Sequence, residues 1–238
     1  MDTVRFCNEI TSFCQANADE STVIKYSKYF KEGYDAYGVP SAVFMAKVDE
    51  FMALGKLDLP LILESAPQLL LSGKYEETSF IIVLTERFKK NFDSQTFEAI
   101  EKWFEYGITN WAHADTLCGT VLPWFFLKKI VPLERLNKWK ISPYKFQRRC
   151  VPVAMIKLLK STNDFNPLFE MTNPIMLDNE RVVHQGLGWF LREAWKFKHK
   201  ETEDFLMKWK DNAARLIFQY ATEKMHPDER IKFKKKKP

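Results

Sequence analysis

The chain has 238 residues, of which 46% are hydrophobic and 28% are charged. This supplies enough apolar side chain for a packed core and excludes a disordered protein. The 8 glycines and 11 prolines are too few for a fibrous or low-complexity chain. Lys and Arg number 36 against 31 Asp and Glu, so the formal net charge is +5.

Sequence signals for export, membrane insertion and metal binding are lacking. The N-terminus does not show the basic and then apolar order of a signal peptide. No apolar run reaches the roughly 20 residues that a membrane-spanning helix needs. The four cysteines and four histidines have no metal-binding spacing, and Cys7 and Cys14 fall on one helix face as core thiols. We therefore expect a reduced cytoplasmic protein with no metal, no cofactor and no membrane partner.

Helical periodicity dominates the apolar pattern, and strand or hairpin signals are nearly absent. Segments 23–30, 79–88 and 205–221 carry apolar residues at helical spacing, and the last is predicted as one helix of about four turns. Further candidate helices open near Ser41, Lys74–Tyr75, Trp111, Pro143–Tyr144 and Asn179.

These starts follow one another at steps of 34, 36, 33 and 35 residues, each with room for two helices and short connections. Such a period predicts an all-α fold in which HEAT-like helical repeats stack into a curved solenoid. An irregular helical bundle is the alternative. We expect a single domain over residues 1–231 and a basic, disordered tail over residues 232–238.

The positive charge is distributed unevenly along the chain. The first 119 residues have a net charge of −7, and the remaining residues have a net charge of +12. Within the second half, residues 120–160 contain ten basic residues and a single acidic one, Glu134. A local excess of this kind indicates a polyanionic partner, with a solvated basic face as the simpler alternative.

The segment NWAHADTLC, residues 110–118, holds the pattern with the most chemical content. Asn110 is suited to cap a helix that begins at Trp111. Trp111 and Asp115 then lie one turn apart on the same helix face. A carboxylate beside an aromatic face suits a cationic substrate held on a polyanion, although the pair also fits a half-buried anchor beside a solvated charge.

Two later segments add basic and aromatic residues. In residues 146–160 the apolar positions face inward, which leaves Arg148, Arg149, Lys157 and Lys160 for another surface. In residues 180–196, Gly186 and Gly188 each cost about 1 kcal/mol relative to Ala in a helix interior. They therefore indicate the close approach of a neighbouring helix or a ligand backbone. Trp189 and Arg192 follow them at a spacing of three.

Together these segments resemble the AlkD-type DNA alkylation repair glycosylases, a family built from HEAT-like repeats. The resemblance covers residues 20–225, and the order and spacing of its five segments make it more specific than any one segment alone. The segments are KYFKEGYDAYGVPSAVFMAKV (28–48), NWAHADTLC (110–118), QRRCVPVAMI (147–156), DNERVVHQGLGWFLREAWK (178–196) and ARLIFQYATEKM (214–225).

The resemblance implies a set of functional residues. The family's catalytic residues correspond to Asp115, Trp111 and Arg149. Its DNA-facing residues correspond to Tyr29, Arg148 and Trp189. We expect further DNA contacts from Arg192, Lys157 and Lys160. Two positions depart from the family pattern: His113 stands where a small or apolar residue is expected, and Gln219 where members often have a basic one. Neither departure removes a proposed catalytic group.

The function implied is that of a monofunctional DNA glycosylase. It would excise N3- and N7-alkylpurines from duplex DNA as a monomer and leave an abasic site. The carboxylate would stabilise the oxocarbenium-like sugar or position water, while the Trp and Arg hold the lesion and its phosphates. A non-catalytic DNA-binding member of the family and a HEAT-type protein-interaction scaffold are the alternatives. The catalytic set argues against the former, and the basic segment argues against the scaffold.

Overall fold

The computed structural model describes residues 1–234, and every regular element among them is helical. The all-α prediction is therefore confirmed. No helix within these residues combines the length and the apolar character needed to cross a bilayer. The chain divides into two compact units, Met1–Thr116 and Leu117–Pro238. The single-domain organisation stays a prediction.

The first unit packs around a cluster of phenylalanines. Phe51 meets Phe6 edge-on at a ring-centroid distance of 5.5 Å and Phe80 at 6.4 Å, and all three side chains are buried. Cys7 and Cys14 are buried free thiols of the first helix, as predicted. The helices are α1 (Thr3–Ala16), α2 (Glu20–Ser27), α3 (Ser41–Ala53), α4 (Leu59–Leu71), α5 (Tyr75–Arg87), α6 (Ser94–Glu101), α7 (Trp103–Tyr106) and the start of α8 (Trp111–Thr120), with a 3-10 turn at Lys89–Asn91.

The second unit contains the end of α8 and seven further helices among its described residues. They are α9 (Leu122–Leu127), α10 (Lys145–Met155), α11 (Asn166–Thr172), α12 (Arg181–Trp195), α13 (His199–Trp209), α14 (Arg215–Ala221) and α15 (Pro227–Ile231), with 3-10 turns at Leu133–Asn137, Trp139–Ile141, Ile156–Lys160 and Asn173–Ile175. Helix α12 packs against both α10 and α14, and its Leu187 and Phe190 are fully buried. The unit is thus built around α12.

The helix starts follow the predicted spacing. Helices α3, α5 and α8 begin at the predicted residues, while α10 and α12 begin one and two residues later than expected. The observed steps are 34, 36, 34 and 36 residues. The regular spacing is confirmed, and its interpretation as a HEAT-like array stays a prediction.

The prediction of one continuous helix over residues 205–221 is wrong. The chain leaves the helical path between α13 and α14, where Asp211 and Asn212 stand. Short polar side chains of this kind compete with the helix for backbone hydrogen bonds. The backbone N–H of Asn212 donates to the Trp209 carbonyl at 3.1 Å, which closes the turn. The apolar period continues across this turn, which is why the pattern did not reveal it.

The predicted tail begins inside packed structure. Phe233 is fully buried, and its carbonyl accepts a hydrogen bond from Nη1 of Arg215 at 2.9 Å. Lys232 forms a salt bridge of 2.5 Å with Glu203. The folded part therefore continues through Phe233, because the apolar ring is covered. The rest of the predicted tail, residues 235–238, lies outside the described residues.

Candidate functional site

The N-terminus of α8 is capped as predicted. The backbone N–H of His113 donates to Oδ1 of Asn110 at 2.9 Å, and Nδ2 of Asn110 lies 2.8 Å from Nδ1 of His113. This cap makes Trp111 the first helical residue. Trp111 and Asp115 therefore lie one turn apart on one face, where the indole is 42% exposed and the carboxylate is half-buried.

The indole of Trp111 is held in one orientation by the chain that follows α2. Its Nε1–H donates to the backbone carbonyl of Tyr29 at 3.1 Å. The ring of Phe30 stacks on the indole at 5.5 Å with an interplanar angle of 20°, and Tyr34 stacks on Phe30 at 4.5 Å. A hydrogen bond and a stacked ring fix the indole while part of its surface stays open to solvent.

Trp111 lies at the wall of the large cleft of the first unit. The cleft has a volume of about 930 Å³, and its lining includes the aromatic side chains Tyr26, Tyr29, Phe30, Tyr75 and Trp111. The structure thus brings together two residues that the sequence analysis named from distant segments, Tyr29 and Trp111.

His113 explains one departure from the family pattern. Its ring is buried, stacks on Tyr75 at 4.5 Å, and places Nε2 at 3.0 Å from the Tyr75 carbonyl and 3.1 Å from Oγ of Ser79. Because Nδ1 faces the amide donor of Asn110, the network assigns the proton to Nε2. Burial lowers the pKa of His113 to about 4, so the imidazole is neutral. The residue ties the start of α8 to the start of α5.

In the second unit, Arg149 is buried rather than surface-exposed, contrary to the prediction. Its side chain is 6% exposed, and Nη1 donates to the Val182 carbonyl at 2.6 Å. A Cβ on Gly186 would lie 3.1 Å from Cγ of Arg149 and 3.1 Å from Cγ2 of Val153. The missing side chain at Gly186 therefore makes room for the arginine between α10 and α12.

Gly188 serves a separate helix contact. A Cβ at this position would lie 2.4 Å from Cβ of Tyr220 and 2.7 Å from the Ile217 carbonyl. Of the two interpretations open for the glycine pair, the approach of neighbouring helices is confirmed, with α10 on one side and α14 on the other.

The remaining residues predicted to contact DNA differ in their ion pairs and in their exposure to solvent. Arg148 forms a salt bridge with Asp178 at 2.6 Å and donates to the Ser142 carbonyl at 2.7 Å. Arg192 pairs with Glu193 at 3.3 Å and with Glu223. Gln219, the second departure from the family pattern, is exposed on α14 and is not one of the predicted contacts. Trp189 is half-buried on α12, whereas Lys157 and Lys160 are exposed on the turn after α10. Contact of these side chains with DNA stays a prediction.

Sequence reasoning did not connect the named residues with those that position them. Phe30, Tyr75 and Gly186 contact or make room for Trp111, His113 and Arg149 respectively. Of these three residues, only Gly186 carried a sequence signal of close packing, because glycine is unfavourable in a helix interior. Among residues 1–234, no group of three or more His, Cys, Asp or Glu side chains is arranged to hold a metal ion.

Comparison with known proteins identifies the class. The sequence profile of a family described as DNA alkylation repair enzyme matches residues 11–225, nearly the whole chain. The chain belongs to this family and therefore has a role in DNA alkylation repair.

A solved structure shares the fold. It is described as "Predicted DNA alkylation repair enzyme from Enterococcus faecalis", and it superposes with a TM-score of 0.76 over 89% of this chain and 98% of its own. The two sequences are 14% identical, so the likeness concerns the fold alone. No curated protein sequence matches the chain.

Proposed function

We propose that the protein is a monofunctional DNA glycosylase that removes N3- and N7-alkylpurines from duplex DNA. The observation that carries the proposal is the pair on α8, an oriented and partly exposed Trp111 one turn from the half-buried carboxylate of Asp115. The family membership supports alkylation repair, and the pair supports base excision as the chemistry. The monomeric state and cytoplasmic location expected from the sequence stay predictions.

Asp115 suits this chemistry because the lesion is already a good leaving group. Alkylation at N3 or N7 makes the purine cationic, so strong acid catalysis is not required. Hydrolysis breaks the bond between C1′ and the purine, leaves the bonding electrons on a neutral base, and joins a water oxygen to C1′ with loss of one proton. The Asp115 carboxylate stabilises the positive charge that grows on the sugar, or orients the water.

Trp111 supplies an electrostatic preference for the charged lesion. The negative face of an indole attracts a cation for about 0.5–2 kcal/mol, depending on desolvation. An indole fixed by Tyr29 and Phe30 presents this face without first losing rotamer freedom. The charge of the alkylated base, rather than its hydrogen-bonding edge, is then what distinguishes it from an undamaged purine.

Arg149 and the basic segment around it would contact the phosphates that flank the lesion. Arg149 directs Nη1 to a main-chain carbonyl, which orients the guanidinium. Each phosphate neutralised makes the slope of log affinity against log salt more negative by about 0.9. We assign Tyr29, Arg148, Trp189, Arg192, Lys157 and Lys160 to the same DNA-contacting role, and no lysine to a Schiff-base step.

The test is release of free 7-methylguanine or 3-methyladenine from methylated duplex DNA, with abasic sites counted in the same samples. The proposal expects one abasic site for each base released, without strand cleavage. If the protein binds the duplex and releases no base, it is a non-catalytic DNA-binding member of the family. If strand cleavage accompanies release, the monofunctional assignment fails.

A further inference from the structure

The loop between α2 and α3 supplies the contacts that hold the indole of Trp111. Residues 28–40, called the connecting loop below, contain no helix or strand. The first part of this loop provides the Tyr29 carbonyl and the Phe30 ring that contact the indole. A loop lacks the regular backbone hydrogen bonds of a helix, so its path must be fixed by other groups of the unit.

The carboxylate of Glu76 fixes the far end of the connecting loop. Glu76 is the second residue of α5 and is 4% exposed. Its Oε2 accepts the N–H of Tyr37 at 2.9 Å, and its Oε1 accepts the N–H groups of Gly38 and Val39 at 2.7 and 3.1 Å. One side chain thus binds three consecutive backbone donors. Hydrogen bonds to a carboxylate are stronger than those to a neutral acceptor.

Gly38 lets the backbone approach both α5 and the start of α2. Its φ is +82°, a conformation that favours glycine. A Cβ at this position would lie 2.2 Å from the carbonyl oxygen of Asp19. The N–H of Asp19 in turn donates to the Tyr37 carbonyl at 2.9 Å. The end of the connecting loop is therefore held between the start of α2 and the Glu76 carboxylate.

Aromatic rings connect this fixed end of the loop with Trp111. Tyr34 stacks on Phe30 at a ring-centroid distance of 4.5 Å, and Phe30 stacks on the indole at 5.5 Å. Tyr75, the residue before Glu76, meets Phe30 edge-on at 5.6 Å and Tyr34 at 5.1 Å. A change in the path of the loop would therefore move Phe30 relative to the indole.

The Glu76 carboxylate has no salt bridge within residues 1–234. The nearby Lys74 pairs with Asp35 instead. A buried carboxylate is costly unless it is hydrogen-bonded, and here the loop amides supply the hydrogen bonds. Replacing the carboxylate with an amide therefore acts on the connecting loop without breaking an ion pair.

We propose that Glu76 is a positioning residue for base release: its carboxylate fixes the connecting loop, and the loop fixes the indole of Trp111. This inference rests on the proposed function, since it takes Trp111 as a residue that acts on the lesion. A purely structural role would affect only the stability of the unit. A positioning role also affects base release, and it does so only while the indole is present.

The test compares Glu76→Gln with Glu77→Gln. The first replaces an acceptor oxygen with an amide nitrogen that only donates, so at least one loop N–H loses its acceptor. Glu77 is the matched control because it is the next residue, is 3% exposed, and uses only Oε1 to accept the hydroxyls of Thr11 and Tyr37 at 2.9 and 2.8 Å. A glutamine oxygen can accept both, so the control removes the same charge and keeps these hydrogen bonds.

The first readout is the single-turnover rate of 7-methylguanine release, with and without Trp111→Phe. We expect Glu76→Gln to lower the rate by about 2- to 30-fold, the range for attraction of a cation by an indole. Added to Trp111→Phe, it is expected to cause no further loss, because no indole remains to be positioned. Glu77→Gln is expected to keep the wild-type rate. A loss of equal size with and without the indole would overturn the inference.

The second readout is the ¹⁹F NMR spectrum of protein labelled with 5-fluorotryptophan, which requires no substrate. The Trp111 resonance is the one that Trp111→Phe lacks. We expect Glu76→Gln to shift or broaden this resonance and to leave that of Trp139, a buried residue of the second unit, unchanged. Glu77→Gln is expected to leave both resonances in place. An unchanged Trp111 resonance in folded Glu76→Gln would overturn the inference.

Circular dichroism and thermal melting establish that each variant folds. If Glu76→Gln does not fold, Glu76→Asp takes its place, because it keeps the charge but shortens the side chain that reaches the three N–H groups. The same changes in rate and in the Trp111 resonance are expected from it, and their absence would equally overturn the inference.

The two proposals fail separately in these measurements. A wild type that releases no base, with a shifted Trp111 resonance in Glu76→Gln, would remove the glycosylase and keep Glu76 as the residue that positions the indole. A wild type that releases base at the same rate as Glu76→Gln would keep the glycosylase and remove the positioning role of Glu76.

Discussion

The indole N–H of Trp111 donates a hydrogen bond to the backbone carbonyl of Tyr29, at 3.1 Å and across 82 residues of sequence. The acceptor is main chain, so no side-chain substitution at Tyr29 removes it directly. The orientation of the indole therefore depends on the path of the chain after α2 and on the ring of Phe30 stacked beside it. This relationship makes Phe30 the residue through which the position of Trp111 can be tested.

Phe30→Leu is expected to lower the single-turnover rate of base release by roughly 2- to 10-fold, because an aromatic pair contributes about 0.5–1.5 kcal/mol beyond its buried area. The measurement is the rate at saturating enzyme on a 7-methylguanine duplex. Phe44→Leu is the matched control, since Phe44 lines the same cleft but packs on Phe80, with ring centres 4.2 Å apart. Equal losses in both variants would indicate a general effect on the cleft rather than on Trp111.

Gly186→Ala is expected to destabilise the protein by about 1–3 kcal/mol, because a new Cβ must displace Arg149 or Val153. The same substitution at Gly119, a helical glycine with open space around it, is expected to raise stability by up to about 1 kcal/mol. Urea unfolding measures the free energy of unfolding of the two variants relative to the wild type. A neutral or stabilising Gly186→Ala would mean that the arginine does not need this space.

His113 is expected to make stability depend on pH. The native-state pKa is lowered to about 4, and the unfolded-state value is about 6.5. Between these two pH values the unfolded chain binds a proton more readily than the native protein does. The stabilisation that neutral His113 contributes to the native state is therefore fully present above pH 6.5 and is lost as the pH falls towards 4. The slope from one group reaches about 1.4 kcal/mol per pH unit.

The comparison of wild type with His113→Gln isolates this contribution. Unfolding by urea at several pH values between 4 and 7 should show a steeper pH dependence for the wild type than for the variant. The same dependence in both proteins would assign the effect to other groups and contradict the buried neutral imidazole.

Arg148→Ala is expected to cost about 3 kcal/mol of folding stability, because it leaves the largely buried Asp178 without its cation. Arg192→Ala serves as the control, since its partner Glu223 is far more exposed and such pairs contribute about 1 kcal/mol or less. Thermal or urea unfolding measures both. A loss of folding stability of about 1 kcal/mol or less in both variants would show that Arg148 is not needed to hold Asp178 in the folded protein.

Local signals in the sequence were sufficient for the start of α8 but not for the surroundings of its functional residues. Asn110 and the apolar period after it predict a helix at Trp111, and the structure agrees. The burial of Arg149 depends on Gly186, which a different helix contributes, so no spacing within one segment could reveal it. The partners of Trp111 are likewise distant in sequence, and only the fold brings them together.

In the proposed reaction, Asp115 acts on the reacting sugar. The most direct measurement is the single-turnover rate of 7-methylguanine release by Asp115→Asn, with duplex affinity measured in parallel. Asp204→Asn is the control, because it removes the same charge from an exposed ion pair of α13. We predict a loss of roughly 100-fold or more in rate for Asp115→Asn, the size expected for removing one electrostatic stabiliser, with affinity little changed. A rate equal to that of wild type and Asp204→Asn would contradict the assignment of Asp115.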